Sequence, residues 1–203
     1  MDILISFVLA VSLLAISPGP DNIFVLMQSV VHGKKYGIST IAGLMSGCLV
    51  HTTFVAFGVS TIIKENNTFF LVIKLLGAIY LCFFSYKVFK SDATITMTTQ
   101  NIQKKTPFQL FKMGFMMNVL NPKVTIFFLA LFPGFLFSNE LSTVVQFYVL
   151  GGLFILVSFV IFSIIALLGG SISERIQQNK QIGIWLKWMQ IIVFIGIALF
   201  ILI

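Results

Sequence analysis

Two proline-containing motifs interrupt long apolar stretches of the sequence, and both hold polar residues suited to binding chemistry. The first reads SPGPDN from residue 17, and the second reads NVLNPK from residue 118. Proline inside a helix removes a backbone donor and clashes with the preceding turn, whereas a polar N-cap followed by proline starts a helix. We therefore predict a helix restart in each motif, with Ser17 and Asn121 as N-caps directly before Pro18 and Pro122.

A helix that starts inside a membrane presents backbone N–H groups with partial positive charge, which suit a carboxylate. A proline kink that only shapes packing is the alternative explanation, but the same pattern at two places favours a functional one. The predicted binding site for substrate and protons consists of Ser17, Pro18, Gly19, Pro20, Asp21, Asn22, Asn118, Asn121, Pro122 and Lys123.

Asp21 is the only acidic residue inside an apolar stretch, and Lys123 is the only lysine or arginine well inside one. A carboxylate in lipid is costly, so such residues usually face a cavity, relay protons or bind cations. Asp21 would also complement the dipole of a helix that begins beside it. Lys123 could be a counter-ion for Asp21, a ligand for a substrate carboxylate, or a side chain that reaches the membrane surface, and the sequence leaves these three roles open.

The remaining reactive residues predict neither a metal site nor catalysis. Cys48, Cys82 and His51 lie in apolar runs without CxxC or HExxH spacing, so we interpret them as packing residues. The sequence contains no paired carboxylates, no nucleophile with a nearby base and no P-loop. We therefore predict no enzyme activity, no cofactor and no bound nucleotide, and transport driven by a gradient.

The composition places these motifs in a membrane protein. The chain is 58% hydrophobic and 9% charged, with a mean hydropathy of +1.05, whereas soluble domains carry about 25% charged residues. A helix needs about 20 apolar residues to cross a bilayer. Six stretches approach or exceed that length, and we predict an all-α protein with spans at residues 3–31, 37–63, 69–86, 113–137, 144–168 and 184–203.

Lysine and arginine placement predicts the orientation of the spans. Most of the 13 basic residues flank the first, third and fifth connections, namely Lys34, Lys35, Lys87, Lys90, Lys104, Lys105, Lys112, Arg175, Lys180 and Lys187. Positively charged connections remain in the cytoplasm, so we expect both termini outside. The net charge of +7 is explained by these lysines, and no basic stripe with interleaved aromatic residues indicates nucleic-acid binding.

The spans divide into two sets of three. We predict a first repeat over residues 1–90, a cytoplasmic linker over residues 91–107 that is rich in Thr, Gln and Asn, and a second repeat over residues 108–203. Three spans per half require that the second half is inverted relative to the first. In secondary transporters with inverted repeats, broken helices at corresponding positions mark the binding site, and here the breaks fall in spans one and four.

These motifs resemble the LysE/RhtB family of amino-acid exporters. The resemblance is carried by SPGPDN in the first span, the glycines of the second, KLLGAIYL in the third and NVLNPK in the fourth, and it covers essentially the whole chain. It implies a bacterial inner-membrane secondary exporter of amino acids or close derivatives, with a six-helix inverted-repeat fold. It does not identify the substrate.

The leading hypothesis is therefore a proton-coupled amino-acid exporter embedded in the lipid bilayer, with homo-oligomer formation left open. A divalent-metal exporter of the wider superfamily is the alternative. It would require several Cys, His or carboxylate ligands within the membrane, and only Asp21, Cys48, His51 and Cys82 are present there. A membrane enzyme would require a catalytic constellation that the sequence lacks.

Overall fold

The computed structural model describes residues 2–17, 19–61, 67–92, 105–170 and 180–202, and this part of the chain is helical without any strand. The helices are α1 (Asp2–Ile16), α2 (Pro20–His32), α3 (Lys34–Phe54), α4 (Asn67–Lys90), α5 (Pro107–Val119), α6 (Pro122–Ile126), α7 (Thr143–Leu167) and α8 (Lys180–Leu202). A π-helical turn, Val55–Val59, extends α3, while α6 continues through a π-helical turn, Phe127–Leu131, and a 3₁₀ turn, Phe132–Phe135.

The predicted all-α, multi-pass membrane architecture is confirmed. Four helical stretches are individually long and apolar enough to cross a bilayer: Lys34–Val59, Thr68–Lys90, Thr143–Leu167 and Gln181–Leu202. Two further candidates are bent pairs, Ile3–Ile16 with Pro20–His32 at 61° and Pro107–Val119 with Pro122–Phe135 at 49°. If each pair is one span, the described residues hold six, and the breaks fall in the first and fourth.

One span begins earlier than its hydropathy indicates. The fourth was predicted from residue 113, but α5 begins at Pro107 because Thr106 and Gln109 form a capping box. The Thr106 backbone N–H donates to Gln109 Oε1 at 2.9 Å, and the Gln109 N–H donates to Thr106 Oγ1 at 3.2 Å. Capping residues satisfy the free N–H groups of a helix end whether or not the first turn is apolar. Residues 93–104 of the predicted linker lie outside the described residues.

Small residues allow α3 and α5 to pack closely. A Cβ atom added to Gly43 would collide with the carbonyl oxygen of Phe111, and one added to Gly114 would collide with that of Thr40. A Cβ on Gly47 would lie 2.7 Å from Oδ1 of Asn118. The glycines of the second span therefore allow a close approach that holds α3 directly against the end of α5 that precedes the second break.

The buried apolar residues form two clusters with the breaks between them. The larger cluster includes Phe7, Phe127, Phe128, Phe132 and Phe154 together with Leu14, Cys48 and Val124. The smaller cluster consists of Ala15, Val25, Ile41, Leu44, Met45, Phe162 and Ala166. Two consecutive residues of α1, Leu14 and Ala15, belong to different clusters, so the last turn of this helix contacts both clusters just before the first break.

Candidate functional site

The first break separates α1 from α2. Helix α1 ends at Ile16, and α2 begins at Pro20 with Gly19 as an extended N-cap (φ −156°, ψ 174°). The predicted N-cap role of Ser17 is therefore wrong, and its buried Oγ makes no hydrogen bond. A residue that precedes proline tends to avoid helical angles, and the extended backbone of Gly19 places the start of α2 at the second proline. Pro18 lies outside the described residues.

The second break separates α5 from α6 and matches the prediction. Asn121 is the N-cap of α6, and Pro122 is the first helical residue. Oδ1 of Asn121 accepts a hydrogen bond from the backbone N–H of Lys123 at 3.0 Å. The first backbone bond of α6 runs from the N–H of Thr125 to the carbonyl of Asn121, also at 3.0 Å. The side chain of Asn121 thus satisfies an N–H group that precedes the helical bonds.

Asn121 also joins the two breaks. Its Nδ2 donates a hydrogen bond to Oδ2 of Asp21 at 2.7 Å, and both side chains are only 9% exposed. Asp21 lies in the first turn of α2, where a carboxylate complements the helix dipole. The two motifs of the predicted site therefore meet through a short hydrogen bond between residues 100 positions apart in the chain.

Lys123 extends from the second break to the C-terminal end of α1. Its Nζ lies 3.4 Å from the carbonyl oxygens of both Leu14 and Ser17, and 5.0 Å from the centroid of the Phe194 ring. The side chain is buried, so the surface-reaching role considered for it is wrong. Carbonyl groups at a helix C-terminus carry partial negative charge, and Lys123 is hydrogen-bonded to them and not to Asp21.

A second side chain caps the same end of α1. Nδ2 of Asn22 donates to the carbonyl oxygen of Ala15 at 2.7 Å. The first backbone bond of α2 runs from the N–H of Ile23 to the carbonyl of Gly19, so the N–H groups of Asp21 and Asn22 precede the helical bonds. The first break thus presents acceptors at the end of α1 and donors at the start of α2.

Asn118, at the end of α5, links the second break to α3. Its Oδ1 accepts a hydrogen bond from Sγ of Cys48 at 3.6 Å, and its carbonyl oxygen lies 3.1 Å from Nε2 of His51. Because a carbonyl only accepts, that ring nitrogen carries the proton. The sequence predicted packing roles for Cys48 and His51 but not their link to this motif. Their spacing of three residues, which places them on one face of α3, was the available signal.

A small cavity of about 40 Å³ lies where the two breaks and the two apolar clusters meet. Its polar lining comprises Asp21, Asn22, Cys48, Asn118, Lys123 and Ser158, and its apolar lining comprises Leu14, Ala15, Leu44, Met45, Val124, Phe154 and Phe162. This space suffices for about one water molecule and is far below the 300–1,000 Å³ or so of common ligand pockets. A larger ligand therefore requires the surrounding helices to separate.

The LysE type translocator family model matches residues 12–203 of the chain. The chain belongs to the LysE family. The homoserine/homoserine lactone efflux protein of Salmonella typhimurium is 30% identical over 176 residues, which cover 87% of this chain and 84% of that protein. The leucine efflux protein of Klebsiella pneumoniae is 29% identical over 182 residues, which cover 89% and 85%. No solved structure matches the chain significantly.

The site in this LysE-family chain holds one negative and one positive side chain, which are bonded to different partners. Acceptors for a cation are the Asp21 carboxylate and the α1 carbonyl groups, which Lys123 contacts in this structure. Donors for an anion are the Lys123 ammonium group and the free N–H groups at the start of α2. A small molecule that carries both a positive and a negative group matches this arrangement.

Proposed function

We propose that this chain is a secondary transporter that exports amino acids or close derivatives across the bacterial inner membrane, with protons as the coupling ion, and that it is not an enzyme. The observation that carries the proposal is the junction of the two helix breaks, where Asn121 bonds to Asp21 at 2.7 Å beside the buried Lys123. Family membership and the two efflux proteins described above support it.

In the proposed binding mode, a zwitterion enters between the two breaks. Its ammonium group faces the Asp21 carboxylate, and its carboxylate faces Lys123 and the first turn of α2. Each charged group of the substrate then meets a group of opposite sign, which offsets the cost of removing it from water. Two other members of the predicted site, Asn118 and Asn121, hold the second break in position.

Proton coupling is proposed to occur at Asp21. When Asp21 is ionised, it attracts the substrate ammonium group from the cytoplasm. When it takes up a proton from the outside, that attraction is lost and the substrate is released. Return of the protonated site to the cytoplasmic side delivers the proton inward, so that one proton enters for each substrate that leaves. An intramembrane carboxylate that faces a cavity is suited to this role.

The proposal retains the predicted inverted-repeat arrangement, with halves at residues 1–90 and 108–203, and both termini outside. Alternating access in such folds moves one bundle against the other around a fixed site. The two apolar clusters on either side of the cavity would then close it in turn. No observation favours the divalent-metal exporter: among the described residues, no group of three or more His, Cys, Asp or Glu side chains could hold a metal ion.

The experiment is efflux from preloaded cells that express either the wild-type chain or Asp21→Asn, with labelled leucine and homoserine as first substrates. The wild type should export at least one amino acid in a manner that depends on the proton gradient, and Asp21→Asn should insert and fold but lose that export. Glu140→Gln is the matched control, because Glu140 is exposed in the loop before α7. Full export by Asp21→Asn would refute the role of Asp21.

A further inference from the structure

Charged and apolar residues of the small cavity come from different parts of the fold. The charged groups of Asp21 and Lys123 belong to the two breaks, whereas Met45, Phe154 and Phe162 come from α3 and α7. These three apolar side chains are at most 8% exposed. A molecule held by its charged groups at the breaks would therefore extend its remaining part between α3 and α7, against apolar surface.

Asp21 and Lys123 are the two charged side chains among the residues that line the cavity, and their charges are opposite. Asp21 supplies one negative group and Lys123 one positive group, which match the ammonium and carboxylate groups of one amino acid. The other acidic residues of the chain are Asp2, Glu65, Asp92, Glu140 and Glu174, and all lie at ends or in connections between the apolar stretches. A cationic or anionic side chain would therefore remain buried without a partner, which is strongly unfavourable within a membrane.

The apolar part of the cavity lining combines a closely packed aromatic ring with a flexible side chain. Phe154 packs against the rings of Phe127 and Phe128, with centroids 5.5 and 4.8 Å apart, and all three belong to the larger apolar cluster. Met45 belongs to the smaller cluster, and its flexible thioether can adjust to side chains of different shape. This combination suits aliphatic side chains of more than one length.

From this geometry we propose that the substrate is an amino acid with an uncharged, mainly aliphatic side chain, which lies between Met45, Phe154 and Phe162 while its charged groups face Asp21 and Lys123. The inference rests on the proposed function and narrows it to a substrate class. Residues Met45, Phe154 and Phe162 become the determinants of specificity. Cationic and anionic amino acids are excluded by charge.

The first test compares leucine, lysine and glutamate in efflux from proteoliposomes that contain the full wild-type chain. We expect leucine to be exported at least about a hundredfold faster than lysine or glutamate, the order of discrimination that an unpaired charge at the membrane centre produces. Export of lysine or glutamate at the rate of leucine would overturn this inference and leave the proposed exporter intact. Export of no amino acid would overturn both.

A second readout reports binding without transport. Cys48 lines the cavity, whereas Cys82 is exposed on the outside of the helices. Cys48 is buried, so in a Cys82→Ser background N-ethylmaleimide should modify it only when the surrounding helices separate, and leucine should slow that reaction while lysine at the same concentration does not. Equal protection by lysine would contradict the inference even if a variant or a vesicle preparation transports poorly.

A charged side chain introduced among the apolar residues of the cavity lining should change which amino acid is exported. Ser158 of α7 lines the cavity and is 2% exposed. Ser158→Asp would supply the missing partner for a cationic side chain, so we expect it to gain lysine export and to lose leucine export. Ser158→Asn is the matched control of the same size without the charge, and it should not gain lysine export. Equal lysine export by both variants would contradict the role of charge.

Discussion

The hydrogen bond between Asn121 and Asp21 can be separated from the capping role of Asn121 by one substitution. Asn121 donates to Asp21 through Nδ2 and caps α6 through Oδ1. Serine is as good an N-cap as asparagine, but its hydroxyl group is too short to cap the helix and contact Asp21 together. Asn121→Ser should therefore keep the cap and lose the bond between the two breaks, whereas Asn121→Ala loses both.

The expected magnitudes follow from the burial of the pair. A hydrogen bond to a charged group contributes about 1.5–3 kcal/mol, and both side chains are 9% exposed, so solvent weakens the bond little. Asn121→Ser should therefore lower the free energy of unfolding by about 1.5–3 kcal/mol. Asn121→Ala should lower it by about 1 kcal/mol more, which is the usual contribution of a cap.

A double-mutant cycle isolates the interaction. The free energy of unfolding would be measured in mixed micelles by SDS titration for the wild type, Asn121→Ser, Asp21→Ala and the double variant. The coupling energy should be about 1.5–3 kcal/mol. As a control, Asp21→Ala combined with Gly152→Ala should be additive to within about 0.5 kcal/mol, since nothing lies within 4 Å of a Cβ at Gly152. A coupling energy no larger than in this control would refute the proposed link between the breaks.

Two further predictions concern packing and orientation. Gly43→Ala should lower the free energy of unfolding by about 1–3 kcal/mol, as overpacking does, because its Cβ would collide with the Phe111 carbonyl. Gly152→Ala is the control and should leave thermal stability unchanged or raised. Equal melting temperatures for the two variants would contradict the close contact of α3 and α5. Reporter fusions at residue 99 should show that the linker is cytoplasmic, since Lys87, Lys90 and Lys112 flank it. If a reporter that functions only in the periplasm is active there, the predicted orientation is wrong.

The membrane itself explains why the helical spans were predictable. A bilayer requires a fixed length of apolar helix, so hydropathy located the four long helices and the two bent pairs, and the proline motifs located the two breaks. The exact restart of α2 was not predictable, since two prolines lie in the same motif and only the backbone angles of Gly19 decide between them. Likewise, α5 begins at a capping box that hydropathy ignores.

The contacts of the site depend on tertiary structure that the sequence does not encode locally. Three roles for Lys123 were equally consistent with its position, and only the approach of α6 to the end of α1 shows that it meets the carbonyls of Leu14 and Ser17. Met45 and Phe162 could not be recognised as lining residues. In helices that are apolar on all sides, a side chain that faces a cavity has the same character as one that faces lipid.

The way the two buried charges are stabilised bears on how a transporter of this design could bind a zwitterion. Lys123 is held by the negative end of α1, and Asp21 by the positive end of α2 and the amide of Asn121. A direct ion pair in a medium of low dielectric constant would be strong, and a substrate would have to break it. Here the carbonyl contacts of Lys123 are long, at 3.4 Å, so a negatively charged group that enters the site has only weak hydrogen bonds of Lys123 to replace. The helix breaks therefore stabilise both charges in the membrane without joining them to each other.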